Sequence, residues 1–174
     1  MVGAGRSTGS IVAGCAIFAA SSVATAQSSP PPALWQDVRQ IGVACLVETP
    51  TGVDTGALHD RICTVAQRVA GRGAPVVPLV FTTGDARMLR PGTVTLLVHA
   101  SVNATPIGEV LALSTRPYRN LADVPGTLFA AAPVALPLDR ARGDDRALSD
   151  AIGRAFARTL PWAPPPPARI IELK

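Results

Sequence analysis

Two cysteines in neighbouring elements, Cys45 and Cys63, constrain the fold of this chain more than any other feature. Residues 41–47 alternate in side-chain size, which predicts a β-strand. The larger side chains on one face of that strand are those of Ile41, Val43, Cys45 and Val47. The other face is also apolar, which is typical of a strand well inside a sheet rather than at a wet edge. The first cysteine is therefore expected on a buried strand.

The second cysteine falls in a predicted helix. Residues 49–52 contain a proline and a glycine that end the strand, and Asp54 is a candidate N-cap. An apolar stripe of helical period follows at Leu58, Ile62, Val65, Ala66 and Val69. Glycines at 71 and 73 end the helix. Since Cys63 lies beside the stripe, it can meet Cys45 if the helix covers that face of the strand.

The amino-terminal residues predict export. Residues 1–26 resemble a secretory signal peptide, with Arg6 at its start, an apolar region at 11–20 and small residues before Gln27. The apolar run is too short for a membrane span, so none is expected after cleavage. An alternative is a lipoprotein signal, in which Cys15 becomes the lipidated first residue. The expected location is the periplasm or the exterior, or a membrane anchor through Cys15.

Cleavage before Gln27 removes Cys15 and leaves two cysteines in an oxidising compartment, which favours a disulfide between Cys45 and Cys63. The alternative is a copper or zinc site, because His59 lies one helical turn before Cys63 and Cys45 could be a third ligand. The chain lacks C-x-x-C and other strong metal patterns. We therefore expect the disulfide, no metal and no other cofactor.

The remaining segments predict one domain. Residues 27–37 read as a flexible leader, 38–160 as a single domain and 161–174 as a proline-rich C-terminal tail. Further strands are predicted at 76–81, 93–101, 109–115 and 127–138, a charged turn at 139–145 and a second helix at 146–160. Both amphipathic helices must cover a half-apolar sheet. This predicts an α+β two-layer sandwich in β-α-β-β-β-α order, with a mostly antiparallel sheet of four to five strands and two helices on one face.

The order of elements over residues 38–160 resembles small domains of the bacterial cell envelope. It is similar to that of the amino-terminal domain of the Tol-system periplasmic protein and of lipoproteins that assist lipid or lipopolysaccharide transport. The resemblance rests on element order, and it implies a fold without assigning a function.

Catalysis and nucleic-acid binding are not expected. G-x-S-x-G and H-E-x-x-H are absent, and only His59 and His99 could act as histidine bases. The net charge of +4 comes mostly from arginines that are not interleaved with aromatic residues, as single-strand binding would require. We expect a non-catalytic envelope domain that binds a protein or a lipid-linked partner. The candidate contact residues are Leu97 and His99 on the wetter sheet face, and Ile170, Ile171 and Leu173 in the tail.

Overall fold

The structure is a computed structural model, and it describes residues 33–50, 55–120 and 132–163. Its strands are β1 (Gln40–Glu48), β2 (Leu79–Phe81), β3 (Thr93–Thr105), β4 (Gly108–Tyr118) and β5 (Val134–Pro137). Its helices are α1 (Gly56–Ala70), α2 (Leu138–Gly143) and α3 (Asp145–Phe156), with 3₁₀ turns at Ala33–Trp35 and Ala86–Leu89. The five strands form one sheet, so the predicted α+β class is confirmed. Within the described ranges, no helix has the length and apolar character needed to cross a membrane.

The sheet is mixed, and the prediction of a mostly antiparallel sheet was wrong in this respect. Its strand order is β2-β1-β3-β4-β5. β1 lies parallel to both β2 and β3, whereas β3–β4 and β4–β5 are antiparallel. The reason is that α1, between β1 and β2, and residues 82–92, between β2 and β3, each carry the chain back to the end of the sheet where β1 began. Strands β3 and β4 are joined by a short turn at residues 106–107, which makes them antiparallel neighbours.

The helices pack on one face of the sheet, as predicted. Alternate residues of β1 and β3, such as Val43 and Leu96, are fully buried in the same apolar cluster as Ile62 of α1 and Phe156 of α3. Helix α1 also contacts α3 directly, and α3 contacts β4 and β5. The layer of helices and the sheet therefore enclose a single core, and the opposite face of the sheet, called the open face below, is turned away from the helices.

Some boundaries differ from the predicted ones. The predicted charged turn 139–145 contains α2, because Leu138 and Ala141 lie three residues apart and are both buried in the core. Strand β2 spans three residues rather than the predicted 76–81, since Pro78 has no N–H to donate to a ladder. Helix α3 ends at Phe156, before the predicted end at residue 160.

Several predictions fall on residues outside the described ranges. These are the signal segment with Cys15 and Gln27, the N-cap Asp54, the first part of the predicted strand 127–138, and residues 164–174.

Two tryptophans close one end of the core. Trp35, from the predicted leader, is buried, and its ring lies edge-on to that of Trp162 with 4.9 Å between ring centroids. The indole Nε1–H of Trp162 donates a hydrogen bond of 3.0 Å to the carbonyl oxygen of Ala70 at the end of α1. The packed structure therefore includes residues that precede and residues that follow the predicted domain 38–160 in the chain.

Candidate functional site

A groove of about 470 Å³ lies on the open face of the sheet. Its floor is formed by side chains from three neighbouring strands, namely Ala44 and Leu46 of β1, Leu97 and His99 of β3, and Ser114 and Arg116 of β4. They share a face because Leu46 pairs with His99, His99 with Ser114, and Leu97 with Arg116 in the strand register. Thr83 and Met88, from the connection between β2 and β3, form a wall. The groove therefore combines an apolar floor with a few polar groups.

The wall is held in place by an aspartate–arginine clamp. Asp85 accepts hydrogen bonds from the backbone N–H of Arg87, at 2.9 Å, and from its guanidinium Nε and Nη2. The side-chain hydrogen bonds from Arg87, followed by the backbone bond, lower the pKa of Asp85 to about 2. Asp85 is therefore ionised at neutral pH, and the pair fixes the start of the 3₁₀ turn Ala86–Leu89.

A glycine and a phenylalanine attach this clamp to the sheet. The guanidinium of Arg87 lies 4.5 Å from the ring centroid of Phe81, as in a cation–π contact. The ring itself is buried against Gly42, where an added Cβ atom would lie 2.1 Å from Phe81 Cε2. Only glycine leaves room for the ring on β1 at this position. The packing of Phe81 on β1 therefore positions the connection that carries Thr83 and Met88.

The polar groups of the groove include a histidine that contacts a glutamate, and a cation. His99 Nε2 lies 3.2 Å from Glu48 Oε2, with both side chains substantially exposed. Arg116 forms no ion pair with any other described residue, unlike Arg87. The side of the groove formed by β4 therefore carries a cation available to an acidic group, and the side formed by β1 carries the half-exposed side chain of Leu46.

The predicted cysteine pair is joined on the other face of the sheet. Cys45 of β1 and Cys63 of α1 form a disulfide, with their Cα atoms 5.8 Å apart, and both are buried in the core. His59 is on the partly exposed side of α1 and lies 3.1 Å from the carboxylate of Asp60. Across the described ranges, no three His, Cys, Asp or Glu residues are grouped so that they could hold a metal ion. The alternative ligand set of Cys45, His59 and Cys63 is not brought together here.

The structure places Leu97 and His99 together in the groove, whereas Ile170, Ile171 and Leu173 lie outside the described residues. Sequence reasoning missed Leu46, Met88 and Arg116 as groove residues. The side-chain alternation of β1 places Leu46 on the face opposite Cys45, so the sequence did contain a signal for Leu46. Nothing local indicates Met88, because its position depends on how the connection folds over the sheet.

Comparison with known proteins provides little further information. No family model and no curated protein matches the chain. Among solved structures, a dodecamer of a PelC point variant from Paraburkholderia phytofirmans aligns with a TM-score of 0.43 and 11% identity, covering 69% of this chain and 87% of that one. A PelC dodecamer from the same organism in another crystal form aligns with a TM-score of 0.43 and 9% identity, covering 73% of this chain and 89% of that one. At these values, the function of this chain has to be argued from its own residues.

Proposed function

We propose that this protein is a non-catalytic, exported domain of the bacterial cell envelope that binds a protein or lipid-linked partner in the groove on its open sheet face. The observation that carries the proposal is the groove itself, an apolar floor lined by Leu46 and Leu97 on a face that the helices do not cover. Its volume of about 470 Å³ is within the range of ligand sites, roughly 300–1,000 Å³.

The side chains of the groove favour a partner with an apolar segment and an acidic group. Leu46 is 50% exposed, so covering it removes apolar surface from water. Arg116 lies on β4, two strands away from Leu46. It has no acidic partner within the described part of the chain, and it would pair with a carboxylate or phosphate of the bound molecule. Both an acidic peptide and a lipid-linked anion present these two features.

Export is supported by the signal-like residues 1–26 and by the disulfide, because disulfides persist in oxidising compartments. Mass spectrometry of protein from the native envelope fraction tests this part of the proposal. The expected mature chain starts at Gln27 and is two hydrogens lighter than the reduced chain. A lipidated start at Cys15 would replace the soluble periplasmic form with an anchored one, and a cytoplasmic protein with free thiols would contradict export.

Site-specific photocrosslinking in the native host tests the groove. p-Benzoylphenylalanine is placed at Leu97, and at Ile107 as the control, because Ile107 is 94% exposed in the turn between β3 and β4 and does not line the groove. We expect one dominant adduct from position 97 that is absent from position 107 and is reduced by Arg116→Glu. Protease digestion and mass analysis then distinguish a protein adduct from a lipid-linked one. Identical adducts from both positions, or none from 97, would contradict binding in the groove.

A further inference from the structure

The outer edge of β2 is an exposed apolar strand edge. Among the described residues β2 pairs only with β1, so one side of its backbone has no neighbouring strand. Leu79 and Val80 point to opposite faces, yet they are 39% and 41% exposed, and the preceding Val77 is 82% exposed. Edge strands are usually protected by proline, lysine or a bulge. Pro78 directly precedes β2 and limits it to three residues, as Pro137 ends β5 at the other edge, but Leu79 and Val80 themselves are exposed apolar residues with no charge or proline ring to block pairing.

The described chain ends beside the loop that leads into β2. Trp162 is fixed by its hydrogen bond to Ala70 and by its contact with Trp35. A Cβ atom added to Gly73 would lie 3.7 Å from the carbonyl oxygen of Trp162. Gly73 belongs to the loop that connects the end of α1 to the start of β2. The residues after Trp162 therefore continue from the loop that leads into the amino-terminal end of β2.

The following sequence is suited to reach the edge and to pair with it. Residues 164–167 are four prolines, which cannot donate to a ladder and favour an extended spacer. Such a spacer spans roughly 12 Å at about 3.1 Å per residue. Residues 168–174 each have a backbone N–H and include Ile170, Ile171 and Leu173. The spacer thus joins the described end of the chain to an apolar segment that has a full set of backbone donors and acceptors.

We propose that residues 168–174 add to the sheet as a sixth strand, parallel to β2. Approach from the amino-terminal end of β2 sets the parallel direction, and alternate apolar side chains cover Leu79 on one face and Val80 on the other. The segment protects the edge of its own domain. This surface is separate from the groove, since none of the β2 residues lines it.

Hydrogen–deuterium exchange tests the pairing. The oxidised mature protein is compared with a variant that ends after Pro167, and the exchange of the amides of Leu79, Val80 and Phe81 is followed. A paired edge amide exchanges more slowly, so truncation should accelerate at least one of the three by about tenfold or more. The turn amide of Ile107 is the internal control and should not change. Unchanged exchange at all three β2 amides would overturn the proposal.

Disulfide trapping identifies the occupant. The variant Val80→Cys with Ile171→Cys should form a second disulfide within one chain under mild oxidation, while the control pair Ile107→Cys with Ile171→Cys should not. The native cysteines do not interfere, because they are bonded to each other and buried. Cross-links formed only between chains would assign the edge to a second copy and overturn the proposal. The proposal would also be overturned if both cysteine pairs formed the disulfide equally, or if the Val80→Cys with Ile171→Cys variant formed none.

Discussion

The substitution Gly42→Ala is expected to destabilise the protein although it adds only one methyl group. The added Cβ would lie 2.1 Å from Cε2 and 2.2 Å from Cδ2 of Phe81. Ordinary contact begins at 3.4 Å, so the ring has to move by about 1.3 Å (3.4 − 2.1) or leave its site. The ring is 2% exposed and lies under the guanidinium of Arg87, so it cannot move without displacing the wall of the groove.

The expected cost follows from the two ways in which the ring can respond. Overpacking by one methyl group typically costs about 1–3 kcal/mol. Expelling the ring to solvent costs a similar amount, roughly 1.5–3 kcal/mol of lost burial. We therefore expect Gly42→Ala to lower the free energy of unfolding by about 1–3 kcal/mol, measured by urea denaturation followed by circular dichroism.

A double-mutant cycle and a matched control separate the clash from a general effect of the methyl group. In a Phe81→Ala background the ring is gone, and Gly42→Ala should stabilise the protein by about 0.5–1 kcal/mol because alanine is less flexible than glycine. If Phe81→Ala does not fold, Phe81→Val serves as the background. Gly153→Ala in α3, whose nearest neighbour would be 4.0 Å away, should also stabilise. Equal effects of Gly42→Ala with and without the ring would refute the reasoning.

Three further predictions concern the disulfide, a helix cap and the acid response. Replacing Cys45 and Cys63 together by alanine should lower the free energy of unfolding by about 3 kcal/mol, given a separation of 18 residues, and reductant should destabilise only the wild type. Asp144 caps α3 by accepting a hydrogen bond of 2.9 Å from the backbone N–H of Ala147, and this bond is the largest cause of the lowered pKa of Asp144. Asp144→Ala should therefore lower the melting temperature, whereas Asp144→Asn should retain the cap and the melting temperature. The pKa of Asp85 falls from 3.8 to about 2 on folding, so its stabilisation is complete above 3.8 and is lost as pH falls through about 2. The stability difference between wild type and Asp85→Asn should therefore be constant above pH 5 and shrink between pH 4 and pH 2, and a difference that does not change with pH would contradict the clamp.

Patterns contained in short segments are enough to predict several elements of this fold. The alternation around Cys45 and the helical stripe beside Cys63 each lie within one segment, and together they predicted a strand, a helix and the bond between them. The alternation of β3 likewise placed Leu97 and His99 on one face. Prolines flank or end β2 and β5, which is typical of edge strands, and both strands lie at edges of the sheet.

The combination of these elements could not be predicted in the same way. The parallel pairing of β1 with β3, the pairing of Leu97 on β3 with Arg116 on β4, and the contact of Phe81 with Gly42 all link residues distant in the chain. Periodicity reports which face a side chain occupies, but it does not report which strand lies beside it or what folds over that face. The strand register, and the identity of the segments that fold over a sheet face, result from hydrogen bonding and packing between distant parts of the chain. Together they form the groove on the open face.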